Sequence, residues 1–163
     1  MEIKAELVKE LRDKTGISVM QCRKALEEAG GDVDKAIALL ASKSAEIAEK
    51  KGARTLGAGA ISSYVHATGN VGAMVELLCE TDFVAHNEEF KALARDIAMH
   101  ITATNPKFLK ADEAGAGEEP QEVLLNQPFV KNPASTIINL IQGATQKFGE
   151  KIEVSRFTRF SIS

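Results

Sequence analysis

The chain has 163 residues, 44% hydrophobic and 26% charged, enough apolar material for a core in a protein of one or two small domains. A formal charge of −3, a single Tyr and no Trp argue against a basic or base-stacking nucleic-acid surface. No apolar run approaches the ~20 residues of a membrane helix, and two cysteines build neither a disulfide framework nor a zinc site by themselves.

The first 50 residues carry helical periodicity. Ile3, Leu7, Val8 and Leu11 share one face, and Thr15-Gly16 ends that run. Ser18 caps a second helix with Cys22, Ala25, Leu26 and Ala29 inward, closed by Gly30-Gly31. Asp32 caps a third, with Val33, Ala36, Ile37 and Leu40 inward, and the helical character continues through SKSAEIAEKKGART. Residues 1–54 therefore read as a helical N-terminal module. The LGAGA stretch that follows is either a flexible hinge or an extended lead-in to a strand.

The period then changes. Residues 60–80 form a predicted hairpin, turning at Thr68-Gly69-Asn70. Helical spacing returns over 88–104, with Phe90, Leu93, Ala94, Ile97 and Ile101 in register, and stops at Asn105-Pro106. Residues 110–120 are acidic, small and non-periodic, and read as a mobile loop. Ser135 is the expected cap of a helix over 135–148, and charge–apolar alternation predicts a strand over 151–162. The fold class is thus α+β. Residues 55–163 form a small antiparallel three-stranded sheet with helices packed on one face, the other face solvated or covered by a second copy.

Motifs of covalent chemistry are missing from the sequence: there is no glycine-rich phosphate loop, nucleophile elbow or metal-spaced His/Cys/Asp/Glu group. His66, in a predicted strand, and His100, late in a helix, read as structural groups. Cys79 reads as a buried inert thiol. The segment Thr81-Asp82-Phe83-Val84 is unusual, because a strand-to-helix connection should be polar. Either Phe83 plugs the domain's own core while Asp82 caps the helix, or Phe83 is a wedge that enters a partner beside a carboxylate.

The spacing of Met20, Ala25-Leu26, Gly31-Asp32 and Ala36 to Leu40 resembles the three-helix ubiquitin-associated (UBA-like) fold. Taken alone, that module would suit an adaptor that binds ubiquitin-like folds. More of the chain is similar to the elongation factor Ts family. The resemblance lies in LVKELRDKTGISVMQCRKALEEAGGDVDKAI (7–37), VELLCETDFVAHNEEF (75–90), DIAMHI (96–101), QPFV (127–130) and GEKIEVSRFTRF (149–160).

The resemblance implies a guanine-nucleotide exchange factor for the GTPase elongation factor Tu; the N-terminus does not read as a transit peptide, which points to bacterial cytoplasm or a mature form. Such a factor makes no covalent chemistry and needs no cofactor, nucleic acid or membrane. It implies a single core unit where longer relatives carry two plus a coiled coil, and a homodimer acting in a 2:2 complex. By the same resemblance Thr81, Asp82, Phe83 and Val84 form the exchange wedge near the partner's magnesium and phosphate site. Arg12, Met20, Arg23, His66 and Val130 match positions that dock the partner.

Overall fold

The computed structural model describes residues 2–113 and 119–162. The chain divides into two compact units. One comprises the residues up to Ala53 with Gln142–Glu150, and the other comprises Arg54–Ile141 with the residues from Lys151 onward.

The first unit holds α1 (Ala5–Thr15), α2 (Val19–Glu28) and α3 (Val33–Lys50). Each boundary has a local cause. Gly16 at φ 69° closes α1 by donating its N–H to the Arg12 carbonyl at 2.7 Å. The Ser18 hydroxyl accepts the Gln21 N–H and the Asp32 carboxylate accepts the Lys35 N–H, so both sequence-read caps are formed. Leu11, Cys22, Ala25, Leu26 and Ala36 are fully buried between the three helices. The Cys22 thiol donates to the Ile17 carbonyl, and burial pushes its pKa up, which makes it an inert core group.

In the second unit, β1 (Ala58–Val65), β2 (Val71–Cys79) and a last strand Glu153–Ser161 form an antiparallel sheet. β2 is its central strand. Of the two readings of LGAGA, the extended lead-in is the one observed, since Ala58 already pairs with Cys79. Gly59 is required there: a Cβ would lie 2.5 Å from the Leu77 carbonyl oxygen. After β2 come a one-turn helix, α4 (Asp82–Ala85), and the long α5 (Glu88–Thr104). Phe90, Ala94, Ile97, Ala98 and Ile101 of α5 are buried, as are Val75, Leu77 and Cys79 on β2, against which α5 lies. Asn105 ends α5 in the left-handed conformation at φ 50°, the stop that Asn105-Pro106 predicts.

The sheet's outer face is exposed and mixes apolar with polar side chains, Ser63 and Thr158 among them. Ile61, Val65, Met74 and Phe160 are exposed on it, and the Glu76–Arg156 pair lies among them at 3.2 Å.

Sequence reasoning did not anticipate a second, two-stranded sheet of β3 (Pro128–Phe129) and β4 (Asn132–Thr136). Its existence corrects the start of the following helix. Ser135 lies in β4 and is not the cap; α6 runs Ile137–Phe148. Thr136 takes the role instead: its hydroxyl accepts the Asn139 N–H at 3.3 Å and the Asn139 carboxamide accepts the Thr136 N–H at 3.0 Å. The final strand, β5, is the Glu153–Ser161 segment and lies inside the expected 151–162. Of the loop expected over 110–120, residues 114–118 lie outside the described residues, and Lys110–Glu113 form a turn.

Candidate functional site

The chain leaves β2 at Cys79 and must reverse into α5 within a few residues. Two successive caps accomplish this. Thr81, extended at φ −127° and ψ 151°, accepts the Val84 N–H on its hydroxyl at 3.4 Å and starts α4. Asn87 then accepts the Glu89 N–H at 2.8 Å and starts α5. Glu80 braces the strand end, its carboxylate accepting the Lys151 N–H at 2.8 Å and pairing with Arg54.

A single helical turn has room for one inward side. Val84 and Ala85 occupy it and are buried, while Asp82 and Phe83 are exposed. Phe83 is 90% exposed, the most exposed large apolar side chain among the described residues. The ring therefore does not plug the unit's own core. Its burial, worth about 1.5–3 kcal/mol, is not used by this fold. Among the described residues Asp82 makes no ion pair. An exposed ring and a free carboxylate, held on a doubly capped turn, offer hydrophobic burial and a fixed negative charge to another surface. Val84, expected beside them in the wedge, is instead the anchor that turns them outward.

The remaining expected residues fall on three surfaces. In the first unit, Met20 is 82% exposed in the first turn of α2, next to Val19, which is exposed as well. Arg23 shares Met20's side of α2 and pairs with Glu27 at 3.1 Å. Arg12 is exposed in the last turn of α1. In the second unit, His66 follows β1 and is exposed, its Nδ1 3.3 Å from the Tyr64 hydroxyl. Val130, 41% exposed, sits in the turn between β3 and β4.

Beneath Val130 lies a buried polar network that the sequence did not signal. His100 is fully buried, and its Nδ1 accepts the Val130 N–H at 3.3 Å. With Nδ1 an acceptor, Nε2 carries the proton and donates to the Gln127 carboxamide oxygen at 2.8 Å. Gln127 in turn donates its NH₂ to the Gln121 carbonyl at 2.6 Å. Burial pulls the His100 pKa below its ordinary 6.5, opposed by the Gln127 bond.

The sign of the resulting pH effect follows. A folded-state value below the unfolded one means that unfolding takes up a proton, so this contribution to stability is complete above pH 6.5 and is lost as pH falls below it. Thermal unfolding between pH 8 and pH 5 should show the midpoint falling below about pH 6.5, a decline that His100→Asn removes. Glu76 acts only in more acid solution, because bonds from Ser155 and Arg156 hold its carboxyl below the usual 4.5.

Among the described residues, no three His, Cys, Asp or Glu side chains are grouped to hold a metal ion, and no helix is long and apolar enough to cross a membrane.

Comparison with known proteins agrees with the motif resemblance. The profile of the family described as "Elongation factor TS" matches residues 2–118. The chain is 42% identical over 194 residues to the elongation factor Ts of Thermodesulfovibrio yellowstonii, covering 99% of this chain and 97% of that protein. It is 39% identical to that of Desulforamulus reducens (99% and 89% covered) and 37% identical to that of Leptospira biflexa (99% and 98% covered).

Proposed function

Because the chain belongs to the elongation factor Ts family, and is on that ground a translation elongation factor, we propose that it promotes GDP release from the GTPase elongation factor Tu. The observation that carries this reading is Phe83, 90% exposed beside Asp82 on a rigidly capped turn.

An exchange factor must bind the nucleotide-free GTPase more tightly than the loaded one. By linkage, nucleotide then weakens the factor's binding by the same ratio. Phe83 supplies the discriminating contact: its ring is buried only when the elements around the partner's Mg²⁺ have moved aside. Mg²⁺ demands near-ideal octahedral geometry, so a small displacement of its surroundings is costly. Asp82 stabilises the displaced arrangement by its charge. Arg12, Met20, Arg23, His66 and Val130 supply docking affinity common to both states, which by itself shifts no equilibrium. The factor acts by binding, without making or breaking a covalent bond, and works in the bacterial cytoplasm.

The uncovered sheet face supports a second copy as part of this function. Ile61, Val65, Met74 and Phe160 are all exposed on one side of three strands, with the Glu76–Arg156 pair among them, and these four apolar side chains would be buried if the face paired with itself about a two-fold axis. The active species is then a homodimer engaging two GTPases.

The test is stopped-flow release of fluorescent GDP from elongation factor Tu over a range of factor concentrations. Wild type should accelerate release in a saturable manner. Arg12→Ala should raise the half-saturating concentration by about tenfold, the loss of a charged hydrogen bond, with little change in the plateau. Absence of acceleration by the wild type would refute the reading.

A further inference from the structure

We propose that His100, assisted by Asp96 one turn earlier on α5, is a positioning residue that holds the Val130–Lys131 turn rigid for docking. This inference rests on the exchange-factor reading above.

Three consecutive residues of the β3–β4 hairpin are held by one face of α5. Phe129 stacks on the His100 imidazole, with centroids 5.9 Å apart and planes 7° from parallel. Val130 gives its N–H to His100 Nδ1, and Lys131 Nζ reaches Asp96 Oδ1 at 2.8 Å. Asp96 and His100 stand four residues apart, the spacing that puts two side chains side by side on a helix. The Lys131–Asp96 pair is half exposed and contributes little by itself. The buried contact does the holding, and its polarity is enforced from behind.

That enforcement runs through Gln127. Its NH₂ is committed to the Gln121 carbonyl, so its oxygen faces His100 Nε2 and also accepts the Thr104 hydroxyl at 2.9 Å. His100 must then donate from Nε2, leaving Nδ1 free to accept from Val130. A two-residue turn with an exposed Val would otherwise sample several backbone states, each an entropic cost on binding. Fixing the N–H of Val130 removes that cost without contacting the partner.

Two substitutions separate this role from mere space-filling. Asn carries its carboxamide oxygen at the position of Nδ1, whereas Gln places its polar atoms one bond further out, at the position of Nε2. Gln is closer to His in volume, so a packing role favours His100→Gln and a clamp favours His100→Asn. Both lose the ring stacked on Phe129.

In the stopped-flow assay on the full chain, His100→Gln should raise the half-saturating factor concentration by roughly three- to tenfold, the effect of one hydrogen bond, and Val130→Ala by about tenfold, the effect of two methyl groups no longer buried against the partner. The plateau rate should be unchanged, and His100→Asn should lie near wild type. Amide hydrogen exchange on the wild-type protein gives a readout independent of any variant's folding: the Val130 amide should be protected. A freely exchanging Val130 amide, a His100→Gln protein that docks as well as His100→Asn, or a Val130→Ala protein with wild-type half-saturation would each overturn the clamp. A wild type that does not accelerate release overturns the exchange-factor reading and this inference with it. Acceleration by wild type with equal docking of both His100 variants overturns this inference alone.

Discussion

Phe83→Ala should lower the plateau rate of catalysed GDP release by about ten- to a hundredfold, because burying one phenyl ring is worth about 1.5–3 kcal/mol and about 1.4 kcal/mol is a factor of ten. The loss should appear at saturating factor, unlike that of Arg12→Ala, since the ring is buried only in the displaced state of the partner. Stability should hardly change. Phe83 is 90% exposed and contributes almost nothing to its own core, and surface substitutions of this kind stay within about ±0.5 kcal/mol. Phe83→Leu should recover part of the rate, having apolar area but less reach. Identical kinetic signatures for Phe83→Ala and Arg12→Ala would remove the division between wedge and docking contacts.

The opposite pattern is expected seven residues along. Phe90, in the first turn of α5, is fully buried and heads the largest side chains of the interior. Phe90→Ala deletes a ring where helix and sheet meet, and large-to-small changes of this sort cost about 3–5 kcal/mol through lost transfer energy and the cavity left behind. That is a large share of the 5–15 kcal/mol typical of a folded domain. Urea unfolding should show a strongly reduced midpoint with a similar slope, and any loss of exchange activity should follow the unfolded fraction. A midpoint like that of wild type would mean that Phe90 is not a core residue. Two phenylalanines in one motif thus make opposite forecasts, one for rate and one for stability.

Much of the fold was legible because its causes are local. Gly16, Ser18, Gly30-Gly31, Asp32 and Asn105 each act on the backbone within a few residues, and the helix boundaries they set are those observed. Richness in apolar and β-branched residues over 71–79 and charge–apolar alternation over 153–161 marked the strands for the same reason. The β3–β4 hairpin was not legible: two residues are too few to show a period, and β4 holds Pro133, a residue uncommon inside strands. The cap at Thr136 was missed in favour of Ser135, because which hydroxyl meets a helix start depends on where β4 ends. The His100–Gln127 bond joins residues 27 apart, side chain to side chain, so no local pattern announces it.

The sequence alone determined the types of the long helices and of the three main strands, the α+β class and, through its long motifs, the family. It left Phe83 undecided between plug and wedge, with Val84 beside it apolar too. Tertiary structure excluded the plug: one turn of helix between β2 and α5 can bury one side only. Val84 and Ala85 take that side, leaving Phe83 and Asp82 in solvent. Periodicity and caps act over neighbouring residues, whereas the inside of a single turn is defined by a sheet and a helix distant along the chain.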